Sequence, residues 1–339
     1  EQQIIAPEFP VTWENPRDEK RFWIQDSKLF SGQITPLDFT GNILPLCEAV
    51  YKSSKATFDL PMESGIRHIN TYIYSAMPEE MTSGKESHEK LYAAALELGD
   101  RWENEWLPEL KEHLALWDNF DLSGASDPAL LEHLDETETR VRRAWEIHTL
   151  LNIPALLTVH LFEEMYNDLF ADAGPFDVHE LLAGFENKII ESNLALWNLS
   201  REVVSSETVT KMLSETDPPD ILEKFDESPE FKEFSEKLNH FLQKYGKQSG
   251  KKFLTHPFWI EEPSPVIRNL QNYMKMSEKD PEGEFREKGE KRDRRLTEAR
   301  KRLETYPEPV KKEFETLLRA AQTANMLREE HTFWIDSLV

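Results

Sequence analysis

"PEPVKKEFETLLRAAQTANMLREEHTFWIDSLV", residues 307–339, is the stretch whose reading decides the fold. It reads as one long helix. Its end, "REEHTFWID" (328–336), gathers Arg328, Glu329, Glu330, His331, Trp334 and Asp336 on about two turns. No glycine cap and no basic last turn close it. Glu1 is not a methionine, and no basic, apolar leader follows it. The expectation is a segment of a longer protein.

The same periodicity runs outward from there. Glycine is scarce, 12 in 339 residues, and alternating β-branched runs are nearly absent. The expected class is therefore all-α or mostly α: an irregular multi-helix bundle with an extended, Pro-punctuated N-terminal segment. Helices are expected over 87–117 with a kink at Pro108, and over 127–151 with Asp127 as cap and Pro128 at the first position. The most apolar, 154–170, is the expected core centre. Others span 177–183, 185–204, 206–213, 228–246 with Gly246 as C-cap, 266–276, 285–305 and the final stretch. Residues 1–45 are extended around a short helix over 19–26. "GIRHINTYIYSAMP" (65–78) is expected as a strand pair or a pocket-lining loop. The organisation is thus an N-terminal, pocket-lining region over 1–78 and a helical body over 79–339, one domain or two lobes.

Charge and composition exclude several functions. A net charge of −24 repels phosphate backbones and anionic lipid, so neither nucleic acid nor membrane is an expected partner. The basic stretch 286–302 is interleaved with Glu287, Glu290, Asp293 and Glu298 and reads as a solvated helix face. No apolar run is long enough to span a bilayer. The single cysteine, Cys47, suggests a reducing, cytoplasmic setting and a buried thiol. No Walker-type loop, GxGxxG, HExxH or GxSxG occurs. His160 and Glu164 stand at i,i+4, but no Glu-x-x-His exists anywhere, so no metal site is expected and His160 reads as a core histidine.

The positive signal is aromatic: nine Trp, eight Tyr and nineteen Phe. Most must be core. Three groups instead set rings beside charge in loops or at helix ends: Arg67, Tyr72 and Tyr74; His256, Phe258 and Trp259; His331, Phe333 and Trp334. Such mixtures suit a flat, partly polar small molecule.

The order of longer segments carries a resemblance. "FPVTWENPRDEKRFWIQDSKLFSGQITPL", "GFENKIIESNLALWNLSREV", "FLQKYGKQSGKKFLTHPFWIEEPSPVIRNL" and "LREEHTFWID" together resemble the central region of the phosphoenolpyruvate-utilising, ATP-dependent dikinase family, of the rifampicin phosphotransferase and phenylphosphate synthase type. Residues 79–180 match only in helical character. The resemblance implies a three-part phosphotransferase. An ATP-grasp domain, which would hold ATP and Mg, charges a histidine on a swivelling domain. That domain passes the phosphoryl group to a hydroxyl on a small, phenol-like acceptor. This chain would be the acceptor-binding domain, with no cofactor of its own and with the ATP-grasp and phosphohistidine domains as partners. It departs from relatives after the "YG" turn, where Lys251 and Lys252 stand in place of an acidic stretch.

On this basis His331 is expected as hydroxyl partner and base, with Arg67 or Arg328 facing the phosphoryl group. Asn70, Tyr72, Tyr74, Trp197, Trp259, Phe333 and Trp334 would bind the acceptor. Glu186, Asn187 and Glu191 read more simply as a capped helix start. The competing reading is a non-enzymatic helical adaptor that holds a protein partner through aromatic patches.

Overall fold

The helix expected over 19–26 does not form. In the computed structural model, which describes residues 16–27, 30, 32–60, 62, 65–76, 85–174, 176–225, 227–249, 254–276 and 280–338, a 3-10 turn (Asp18–Lys20) leads into strand β1 (Trp23–Gln25). The Trp23 indole N–H donates to the Asp18 carbonyl at 2.8 Å, and pairing with a sheet supplies the ladder bonds that a lone helical turn lacks. Helix α1 (Pro36–Asp38) starts at Thr35, which forms a capping box with Asp38. A π-helical turn (Phe39–Ile43) passes into α2 (Leu44–Phe58). Helix α2 lies within the region read as extended and pocket-lining, and was not anticipated. Strands β2 (Gly65–Ile69) and β3 (Tyr72–Ala76) make an antiparallel hairpin, and β1 pairs with the other edge of β3. Asn70 and Thr71 form its two-residue turn at φ 50° and 69°, as a type I′ turn requires.

The helical body begins with α3 (Lys85–Arg101), a second π turn (Trp102–Trp106) and α4 (Leu107–Asp118). The expected kink at Pro108 is thus a π turn that closes just before the proline. The two helices expected over 127–151 and 154–170 are one, α5 (Asp127–Leu169), with Pro154 inside it. Proline there removes a single ladder bond, and packing on three neighbouring helices holds the rest. The chain continues through α6 (Asp177–Leu181), α7 (Lys188–Val204), α8 (Glu207–Glu215), α9 (Pro218–Ile221), α10 (Pro229–Tyr245), α11 (Ser264–Met274), α12 (Pro281–Leu303) and α13 (Glu308–Asp336). The protein is mostly α. The expected junction at residues 78 and 79 lies outside the described residues.

Helices α5 and α13 form the most extensive helix pair. One apolar core joins them to α3 and α4 around Trp102, Trp106 and Trp145. A second stacks Phe162, Tyr166, Phe170 and Phe314 beneath α6 and α12. A third fills the space between α7, α8, α10 and α11 and receives Phe333. Trp334 packs against both the first and the third, which joins the two halves of the body. His160 is not in the core. It is exposed on α5 and pairs with Glu164 at 3.3 Å. Cys47 is half-buried beside the sheet, and burial with Glu48 next to it pushes its thiol up to about 11.

Candidate functional site

An open cleft of ≈780 Å³ lies between α3 with its π turn, the start of α7, the end of α10, and α13. Trp102, Leu107, Ile190, Leu194, Met326 and Leu327 give it an apolar floor. Backbone geometry sets its shape. The π turn at 102–106 widens the helix where it passes the cleft, a feature common at functional sites. Gly99 lets α3 approach α13: a β-carbon there would stand 3.2 Å from Thr323 Cγ2. Asn187 caps α7 by accepting the Ile190 N–H at 3.0 Å.

One wall is ionic. Glu191 accepts from Lys188 at 2.5 Å, Lys244 at 2.7 Å and the Tyr245 hydroxyl at 2.8 Å. Burial alone would raise the Glu191 carboxyl, but these three donors hold it down at about 2. It is therefore ionised at every working pH. Hydrogen bonding to Glu191 holds the Lys244 ammonium well above its usual range, and burial pushes the Tyr245 hydroxyl up. Glu330, from α13, closes this wall. Its Oε2 accepts the Lys188 backbone N–H at 2.7 Å, an anion seated on the first turn of α7, and its Oε1 accepts the Trp334 indole N–H at 3.1 Å. Lys111 Nζ sits 5.2 Å from the centre of the Trp334 ring.

The structure does not bring the residues expected from sequence to one place, and none of them lines this cleft. His331 is 1% exposed, behind Leu327. Its Nδ1–H donates to the Leu327 carbonyl at 2.7 Å, a direction fixed because a carbonyl only accepts. Its Nε2 is then an acceptor, facing His148 Nδ1 at 3.0 Å and the Asn152 amide at 3.2 Å. Asn152 also reaches His148 Nε2 at 2.9 Å. This His–His–Asn cluster pins α13 to α5. Trp334 touches the cleft only through Glu330. Phe333 packs on Tyr245 from the third core, with ring centres 6.5 Å apart. Trp197 is buried under Arg201, 4.2 Å over its ring, and edge-on to Tyr273. Trp259 packs against the same core. Arg328 is half-buried on α13.

Arg67, Asn70, Tyr72 and Tyr74 all stand on the small sheet. Arg67 pairs with Asp18 at 2.8 Å and lies 5.9 Å from the Trp23 ring centre. Asn70 is the exposed first residue of the hairpin turn. Contacts link this sheet to the interior histidines: Phe39 stacks on His68 at 5.0 Å, Asn42 of the same π turn accepts from the Trp145 indole at 2.9 Å, and Trp145 meets His148 edge-on at 5.2 Å. The loop after the "YG" turn is fastened to α13 by Gln248, which donates to the Phe333 carbonyl at 2.8 Å. Lys251 and Lys252 lie outside the described residues. Sequence reading missed Trp102, Lys244, Tyr245 and Glu330. The signal was present in "FLQKYG" and "LREEH", but helical spacing does not say which neighbour a polar face meets.

Comparison with known proteins fits this architecture to one family. The rifampicin phosphotransferase fourth domain matches over residues 148–329, from the middle of α5 into α13. The chain belongs to the rifampicin phosphotransferase fourth-domain family. The matched span holds His148, the start of α7 with Glu191, Lys244, Tyr245 and α13 as far as Glu329, one residue short of Glu330. The domain is 38% identical to chondramide synthase cmdD from Chondromyces crocatus over 97% of its own length, and spans 9% of that protein. It is 25% identical to the uncharacterized phosphotransferase YvkC from Bacillus subtilis over 95% of its length, and spans 38% of it. It is a phosphotransferase-related domain. No described helix is long and apolar enough to cross a membrane.

Proposed function

We propose that the cleft seats a small hydroxylated, aromatic acceptor for a phosphoryl group delivered from a phosphohistidine. In this reading a mobile domain carries that histidine and an ATP-grasp domain, using ATP and Mg, charges it. The observation that carries the reading is the convergence of Lys188, Lys244, Tyr245, Glu191 and Glu330 on one wall of an apolar-floored cleft, in a chain of this family. The floor suits a ring. Phosphoryl transfer needs positioning and charge stabilisation more than covalent help.

Roles follow from the chemistry of each group. Lys188 and Lys244 meet the oxygens of the transferring group. Glu191 keeps both cations in place; held ionised at about 2, it is too weak a base to take a hydroxyl proton. Glu330 is the wall carboxylate placed to take that proton late in the transfer. Trp334 orients Glu330, and His331 acts from behind as a positioning residue by fixing α13 on α5 through His148 and Asn152. The phosphorus passes from imidazole nitrogen to acceptor oxygen as the O–H proton leaves to Glu330.

The test uses the complete enzyme. In Glu330→Gln, autophosphorylation of the carrier histidine should survive while transfer to acceptor falls by roughly 100-fold or more. His331→Gln should lower transfer less and leave autophosphorylation intact. Loss of both activities together, or of neither, removes these roles. The isolated domain should bind a phenol without turning it over; a domain that binds no phenol but captures a protein partner would favour the adaptor reading.

A further inference from the structure

The side chains of the ionic wall are not equally fixed. Those of Lys188, Glu191 and Lys244 are 30%, 38% and 50% exposed, and each turns about several bonds. Tyr245 is 4% exposed. Phe241 closes on its ring with centres 5.1 Å apart, and Phe333 braces it at 6.5 Å. Its hydroxyl therefore projects from an anchored ring, and Glu191 Oε1 accepts it at 2.8 Å. The same oxygen takes Lys244 at 2.7 Å, while Oε2 takes Lys188 at 2.5 Å. Lys244 is held a second time, with Nζ 5.0 Å from the centre of the Tyr245 ring. Phe333 stands three residues beyond Glu330 on α13, so the helix that supplies the wall carboxylate also braces the ring beside the lysines.

Resting on the acceptor reading above, we propose that Tyr245 is a positioning residue for phosphoryl transfer: its hydroxyl fixes the Glu191 carboxylate and, through it, sets Lys188 and Lys244 in one arrangement beside Glu330. It acts through Glu191 and not on the reacting atoms. Without the hydroxyl the wall keeps all its charges but loses their order, and order is what a transfer governed by positioning needs.

The complete enzyme is assayed with 4-ethylphenol as acceptor, in the parent and in Tyr245→Phe, Lys244→Met and Glu330→Gln. Tyr245→Phe keeps the ring and its packing. Its kcat should fall about tenfold while KM for the phenol stays within about twofold of the parent. A second readout needs no acceptor: competitive acetylation with acetic anhydride at about pH 9, read by mass spectrometry. The hydrogen bonds of Lys244 to Glu191 and Tyr245 hold its ammonium well above the usual range. In Tyr245→Phe it should react at least about threefold faster, measured against Lys237 of the same helix, which pairs with Glu202 and Glu233. A kcat within about twofold of the parent, or Lys244 reactivity that does not move, overturns the role of Tyr245. If Lys244→Met and Glu330→Gln still lose transfer, the acceptor cleft stands. Parent-like transfer in all three variants, or no transfer to the phenol by the parent, overturns both.

Discussion

Glu191 shows how a single residue ties the cleft to the stability of the fold. Its carboxyl drops from an ordinary 4.5 to about 2 on folding. A depressed folded value means a stabilising contribution that is fully present above 4.5 and is lost as pH falls toward 2. Glu191→Gln should therefore lower stability at neutral pH, by about 1 kcal/mol once solvent screening is allowed for, and the deficit against the parent should close between pH 4.5 and 2 in urea titrations. Cys47 works in the opposite sense: with its thiol raised to about 11, iodoacetamide should alkylate it far more slowly than a free cysteine until the pH nears that value. Thr71 holds φ 69° in a hairpin turn, which is strained for a β-branched side chain. Thr71→Gly should raise the unfolding midpoint by the equivalent of roughly 0.5–1 kcal/mol. At this scale the sequence misleads where one residue type serves two ends. Asn70 read as an acceptor contact, but asparagine is also what a type I′ turn favours. Asn187 and Glu191 read as a capped helix start, which they are, and they also line the cleft.

Elements are joined at places that spacing alone does not mark. Gly184 sits at φ 74°, and a β-carbon there would approach the Gly289 backbone N of α12 to 2.7 Å. Arg292 donates to the Gly184 carbonyl at 2.8 Å and lies 4.3 Å over Phe185. Gly184→Ala should thus unseat α12 from the approach to α7, with a loss of roughly 2 kcal/mol or more in thermal or denaturant unfolding. Helix α5 explains part of what the sequence hid. Pro154 and Asn152 read as a break, yet both stay within the helix, Pro154 because its neighbours hold the flanking turns and Asn152 because it bonds His148 and His331. Helix α2 was hidden by its setting, between segments rich in turn residues. Trp197, Trp259, Phe333 and Trp334 read as acceptor contacts, but they pack on helices far away in sequence.

For the whole molecule, class and family were both legible, because scarcity of glycine, helical period and the order of long segments survive without knowledge of tertiary contacts. The cleft was not, since it is assembled from α3, α7, α10 and α13, and the segments of α7, α10 and α13 that carry the resemblance do not say which of their faces meet. The His148–Asn152–His331 cluster links the largest helix pair, and its energetics belong to the entire fold. His331→Ala should lower global stability by roughly 3 kcal/mol, through a cavity and the loss of its bonds to the Leu327 carbonyl, His148 and Asn152. Adding His148→Ala should bring a smaller further loss than either change made alone, which a double-mutant cycle by chemical denaturation measures. The π turn at 102–106 bears on how the gene can change length. Loss of one codon inside it would restore ordinary winding and leave an unbroken helix, but the residues before it would swing by about 100° around the axis. Asp100 and Gly99 would then face away from Thr323. The same loss in the connection over 119–126 would leave that register untouched, so heritable shortening should be tolerated on one side of α4 and eliminated on the other.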